Sequence, residues 1–126
     1  MVIATIGQET YKTELVATGH QLIADEPVDV GGHDEGPAPG QYLQMALASC
    51  TAITLRMYAN RKKWPLEKVR VEVDTEKNEG TTTFKRQIIL TGDLTNEHRE
   101  RLLQIANACP VHKALTNPIE ITTSLE

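Results

Sequence analysis

The segment from Gly40 to Arg61 constrains this chain more than any other. Leu43, Leu47, Cys50, Ile53, Thr54 and Met57 recur three and four residues apart, the spacing of a helix face. The opposite side carries Met45, Ala46, Ala48 and Ala52, so few positions between Leu43 and Ile53 are strongly polar. A helix apolar on most sides is buried on most sides. A chain of 126 residues has little material with which to surround one. We therefore expect a second copy to help bury it, which makes the chain a homodimer. Arg61-Lys62-Lys63 ends the helix with charge that suits its dipole. Pro65 then prevents continuation.

The remaining segments are short. Val2–Gly7 and Lys12–Thr18 read as strands joined by polar Gln8-Glu9-Thr10, hence a hairpin. Gly19 starts a turn, and His20–Asp25 reads as a third strand with Leu22 and Ala24 on one face. Glu26–Gly40 holds Pro27, Gly31, Gly32, Gly36, Pro37, Pro39 and Gly40, and reads as a long loop. Such a loop in a small domain is often functional. Val69–Thr75 alternates Val69, Val71 and Val73 against Arg70, Glu72 and Asp74, the pattern of a half-buried strand. Lys77-Asn78-Glu79-Gly80 turns it into a partner, Thr82–Thr91. Thr95 caps a helix running to about Ala108, with His98 where a capping box usually has Glu. Cys109-Pro110 interrupts it, and Pro110 fits the first turn of a short helix, Pro110–Leu115. Pro118 stops that helix, and Ile119–Thr123 reads as a last strand. The fold class is α+β, one domain over residues 1–126.

Composition removes several functions. The formal charge is −4, so no basic footprint for nucleic acid exists. No apolar run approaches the roughly 20 residues that span a bilayer. The N-terminus lacks the basic and apolar blocks of a signal peptide, so the expected location is the cytoplasm. His33, Asp34 and Glu35 offer ligand atoms in the glycine-rich loop, but without a recognised ligand spacing, and no metal is expected.

Two cysteines remain. In a reducing compartment they are inert buried thiols or a redox pair, not a structural staple. Cys50 alone, flanked by Ser49 and Thr51 on an apolar helix, reads as a small hydrophobe. Cys109 is less bland. Backbone N–H groups at a helix start favour a thiolate, and His112 and Lys113 follow three and four residues on. If the two met, one could attack a peroxide and the other resolve the sulfenic acid to a disulfide. Their Cα atoms would have to come within about 7 Å. Tyr42 and Tyr58 read as packing residues, Ser49 and Thr51 as donors to their own helix backbone, and His98 as a solvated helix residue. Asp25-Glu26 reads as the turn into the loop.

Asp25-Glu26-Pro27, Gly31-Gly32, Gly36-Pro37-Ala38-Pro39, Leu43 to Ala48 with Cys50-Thr51, and Cys109-Pro110-Val111-His112 together resemble the OsmC/Ohr family (osmotically inducible protein C, organic hydroperoxide resistance). The order of elements is similar too. The resemblance implies antiparallel sheets packed with a long central cysteine-bearing helix, in an intertwined homodimer with sites at the subunit interface. It implies thiol-dependent reduction of organic hydroperoxides, with Cys50 peroxidatic and Cys109 resolving. It also implies an external dithiol reductant of lipoyl type and no bound cofactor. The family's N-terminal arginine has no counterpart, since no arginine precedes Arg56. Its glutamate near the helix start falls at Gly40, followed by Gln41. Arg56 lies roughly 240° around the helix from Cys50. Lys12 and His20 are the candidate replacements, with Gln41 and His112 as further supporting residues. The alternative reading is a non-catalytic or weakly active redox-sensing dimer that binds a small apolar or electrophilic ligand.

Overall fold

The structure, a computed structural model, describes residues Met1–Glu126. By internal packing it divides into two units, Met1–Leu43 and Gln44–Glu126.

The first unit is a meander of three antiparallel strands: β1 (Val2–Thr5), β2 (Thr13–Ala17) and β3 (His20–Ala24). Val2 pairs with Ala17, and Thr13 with Ala24. Gly19 makes the tight β2–β3 turn at φ +79°, where a side chain would be strained. The long loop after β3 is wound around one carboxylate. Asp25 is buried, and its oxygens accept the backbone N–H groups of Glu26 (2.7 Å), Glu35 (3.1 Å) and His33 (3.3 Å). The loop is thus more ordered than its glycine and proline content suggests. It contains a 3₁₀ turn at Val28–Val30, and Asp25 N–H reaches across it to the Pro37 carbonyl. Tyr42 closes the unit by donating its hydroxyl to the Ile23 carbonyl at 2.6 Å.

The second unit holds most of α1 (Pro39–Lys62), the hairpin β4 (Leu66–Asn78) and β5 (Thr81–Gly92), and helices α2 (Asn96–Ala106) and α3 (Pro110–Thr116). α1 begins one residue earlier than the sequence pattern placed it and ends one later. The hairpin strands are longer than their alternating cores because the two-residue turn Glu79-Gly80 lets pairing run from Asn78–Thr81 to Leu66–Gly92. Val69, Val71, Val73 and Thr75 pair with Leu90, Ile88, Arg86 and Phe84 on the half-buried face. Leu55, Tyr58, Leu102 and Ala106 form the core, with Trp64, Val69, Ile88, Leu90, Leu94 and Ile105 around it.

α1 buries one stripe within this chain: Leu47, Thr51, Leu55, Tyr58 and Ala59. Leu43, Met45, Ile53 and Met57 stay exposed. Ile119–Thr123 is not a strand. It alternates like one, but a strand needs a partner edge, and this segment pairs with none; Ile119 and Ile121 stand exposed.

Candidate functional site

Cys50 lies in the middle of α1, one residue before buried Thr51, and is half-buried at the margin of the core. Cys109 reaches the same place by a different route. α2 winds down through Asn107 and Ala108, and Pro110, lacking an N–H, starts α3 instead of extending α2. Cys109 becomes the N-cap of α3. It is fully buried, and its Sγ accepts the His112 backbone N–H at 3.4 Å. Both cysteines are free thiols, and they lie near enough for each to shift the other's ionisation. Residues remote in sequence therefore share one contact.

The contact is asymmetric. Burial pushes the Cys50 thiol up, and the adjoining Cys109 sulfur pushes it further; the Val111 N–H works against this without cancelling it. Burial also opposes ionisation of Cys109. There the hydrogen bonds from Cys50 and from the His112 and Val111 N–H groups outweigh it, and the net direction is down. The pair's first proton leaves from Cys109, and Cys50 remains the thiol donor.

Arg86 is the residue that the sequence pattern did not single out. It lies on β5 opposite Val73, on the face shared with Phe84, Ile88 and Leu90. Its Nη1 donates to Thr51 Oγ1 (3.0 Å) and the Ala106 carbonyl (3.3 Å). Its Nη2 donates to Asn107 Oδ1 (3.1 Å) and to His112 Nδ1 (3.3 Å). One guanidinium thus ties the strand to the residue after Cys50, to the end of α2 and to the helix that Cys109 opens. The available signal was an arginine in phase with the apolar positions of an alternating strand, where a solvated arginine has no reason to be. Arg86 and His112 border an open cleft of about 400 Å³, whose other walls include Leu47, Phe84, Leu115 and Thr116.

The other candidates have ordinary partners. Lys12 lies 3.8 Å from Glu35 in the N-terminal unit. His20 opens β3 across from Ala17 and is exposed. Gln41 accepts the Ala38 N–H through Oε1 at 2.9 Å, which caps the start of α1. Arg56 is committed to the Leu66 carbonyl (2.7 Å) and the Glu67 carbonyl (3.2 Å). Ser49 and Thr51 donate to the Met45 and Leu47 carbonyls, both at 2.7 Å. Tyr58 packs in the core and accepts from Arg101 at 3.0 Å. His98 is more than a solvated residue: its Nδ1 accepts the Thr95 N–H at 3.2 Å, and its ring stacks on Trp64 at 4.3 Å. Asp25, His33 and Glu35 bring ligand-type atoms within 4.8 Å of one another. Asp25 is already occupied by backbone N–H groups, which is the chemistry of a loop anchor. Three backbone donors outweigh its burial and hold its carboxyl below the usual range.

Such a fold, with its long cysteine-bearing helix and its Cys-Pro helix start, defines a class of α+β thiol proteins. The description OsmC-like protein matches this chain over residues 32–124, and the chain belongs to that family. Solved structures agree on the fold. An OsmC-like protein from Mycoplasma pneumoniae has 16% identity and a TM-score of 0.77, covering 91% of this chain and 85% of its own. An organic hydroperoxide resistance protein OsmC from Legionella pneumophila has 24% identity and a TM-score of 0.66, covering 92% and 88%. An organic hydroperoxide resistance protein from Elizabethkingia anophelis has 18% identity and a TM-score of 0.69, covering 94% and 89%. No curated protein sequence matches the chain. No helix is long and apolar enough to cross a membrane.

Proposed function

We propose that this chain is a thiol-dependent peroxidase that reduces organic hydroperoxides through Cys50 and Cys109. The observation that carries the reading is the proximity of the two thiols, each of which shifts the other's ionisation. Cys50 is the more exposed sulfur and the one that meets the peroxide. Its proton passes to the Cys109 thiolate. The Cys50 thiolate attacks the terminal oxygen of R–O–OH, an S–O bond forms and the O–O bond breaks. The electron pair leaves on RO⁻, which is protonated to ROH. Cys109 then attacks the Cys50 sulfenic acid, giving the Cys50–Cys109 disulfide and water. An external dithiol of lipoyl type returns both thiols and is itself oxidised to a disulfide.

The exposed apolar side of α1 supports a homodimer of one OsmC-like domain per chain, in which a second copy covers Leu43, Met45, Ile53 and Met57. The setting is the cytoplasm, where a dithiol pool keeps the pair reduced. One observation favours a second reading: burial and Cys109 both hold Cys50 protonated, which slows attack. That reading is a redox-sensing dimer that forms its disulfide once and does not turn over.

The test is consumption of cumene hydroperoxide by the reduced protein with dihydrolipoamide. Wild type consumes many equivalents, Cys50→Ser none, and Cys109→Ser one before it stalls. Consumption of neither cumene hydroperoxide nor hydrogen peroxide by wild type ends the peroxidase reading. A single stoichiometric disulfide without turnover selects the sensor.

A further inference from the structure

The last turns of α1 gather positive charge around one side chain. Tyr58 is a core residue, 8% exposed, yet three cations surround its ring. Arg61 stands 5.2 Å from the ring centroid, Lys62 5.7 Å, and Arg101, from α2, 5.7 Å. Arg61 and Lys62 follow Tyr58 by three and four residues, so α1 presents all three on one face. None of these cations has a carboxylate within ion-pair distance; the ion pairs of the chain are Lys12–Glu35, Arg70–Glu72 and Lys85–Glu76. Glu97 and Glu100 stand beside Arg101 in the sequence of α2 and do not pair with it.

The α1 C-terminus answers part of this charge. A helix end is worth about half an elementary charge, whereas three whole charges meet here. In a chain of net charge −4 that is a local excess of the opposite sign, and like charges so close repel. The Tyr58 hydroxyl is only half used. It accepts from Arg101 Nε at 3.0 Å and donates to no atom of the chain. Arg101 commits Nη1 to Gln104 and keeps Nη2. The Arg101 hydrogen bond, with the charges of Arg101, Lys62 and Arg61, outweighs burial and holds the phenol below its usual range.

We propose that Tyr58, Arg61, Lys62 and Arg101 form a binding site for a phosphate group, carried by inorganic phosphate or by a small phosphomonoester. A phosphate brings nearly two charges and several acceptor oxygens, enough to take guanidinium donors, an ammonium and a phenolic O–H together. A carboxylate, with one charge and two oxygens, leaves part of the cluster unanswered. Tyr58 gives the site direction, because the core holds its ring and Arg101 holds its hydroxyl. The site lies eight residues past Cys50 on α1, about 12 Å along the axis, and is separate from the thiols. Its occupation ties α2 to the end of α1.

The test is a titration of the full-length protein at neutral pH and constant ionic strength, followed by the Arg101 Nε–H resonance in ¹H–¹⁵N correlation, assigned with Arg101→Gln. Sodium phosphate and methyl phosphate shift it saturably, and the tighter of the two names the source; sodium acetate does not. Tyr58→Phe, which deletes one oxygen, and Lys62→Gln each weaken phosphate binding by about tenfold. Lys63→Gln removes an equal charge one residue past the cluster and stays within about twofold. If Tyr58→Phe does not fold, Arg61→Gln and Lys62→Gln, both at exposed positions, carry the same comparison with Lys63→Gln. No saturable shift, an equal response to acetate, or equal weakening by Lys62→Gln and Lys63→Gln overturns the proposal. Sedimentation with phosphatidylserine vesicles, without saturable binding of either phosphate, assigns the patch to a membrane surface and overturns it too.

Discussion

Replacing Arg86 with methionine keeps most of the aliphatic stem and deletes the guanidinium. Four acceptors lose a donor: Thr51 Oγ1, the Ala106 carbonyl, Asn107 Oδ1 and His112 Nδ1. They do not suffer equally. Asn107 is exposed and can turn to water, and His112 is half-buried beside an open cleft. Thr51 and Ala106 are fully buried. A buried acceptor left unsatisfied costs about 1–3 kcal/mol. Thr51 keeps its own bond to the Leu47 carbonyl, and the Ala106 carbonyl keeps the Cys109 N–H at 3.4 Å, so both shares fall at the low end. Removal of a cation from the α2 C-terminus adds a few tenths. The sum is about 2–3 kcal/mol, and at about 4 °C per kcal/mol for a chain of this size the midpoint falls by about 8–12 °C. Circular dichroism melts of reduced protein, at equal concentration because a dimer's midpoint depends on it, read the loss directly. Asn107→Ala is the control and moves the midpoint by no more than about 4 °C. If Arg86→Met melts within about 2 °C of wild type, the guanidinium is not holding these elements together and the account of the site is wrong.

Leu102→Ala removes a side chain with no exposed surface from the centre of the core and costs about 2–5 kcal/mol by urea denaturation; a loss below about 1 kcal/mol would mean that the cluster collapses freely. Stability also depends on pH through His112. Its folded value lies below 6.5, so the folded state favours the neutral ring; this contribution is complete above 6.5 and is lost as pH falls through the folded value. The slope of stability between pH 7 and 5 is therefore shallower in His112→Gln, and an unchanged slope refutes the assignment. Asp25 acts the same way lower down: its contribution is complete above the ordinary carboxylate range and disappears on further acidification.

The order of elements could be read along the chain because each carries its own local signal. Pro65 and Pro110 mark where helices stop or start, Thr95 caps α2, and β4 alternates valine with charge. The buried face of α1 was not legible: the helical spacing points to Leu43, Leu47, Cys50, Ile53, Thr54 and Met57, whereas this chain buries Leu47, Thr51, Leu55, Tyr58 and Ala59 and leaves Leu43, Ile53 and Met57 exposed. Other features were hidden because they depend on pairing across distance. Ile119–Thr123 has the pattern of a strand and lacks an edge to join. His98 looked solvated because nothing local announces that Trp64 will stack on it. The family's N-terminal arginine points to Lys12 and His20 as candidate cations. The hairpin brings Arg86 to Thr51, Asn107 and His112. Its clue was parity: Phe84, Arg86, Ile88 and Leu90 occupy alternate positions, so the arginine points where its neighbours bury themselves.

Cys109 holds two posts with a single atom. Its sulfur is the partner of Cys50, and it is also the first acceptor for the seven-residue helix that begins at Pro110. Electron density drawn from that sulfur into a new bond is density withdrawn from the His112 amide, and a helix of two turns has little cooperativity with which to make good the loss. Chemistry at the thiol is therefore felt at once in the backbone of the segment that carries His112 and Leu115, one wall of the cleft.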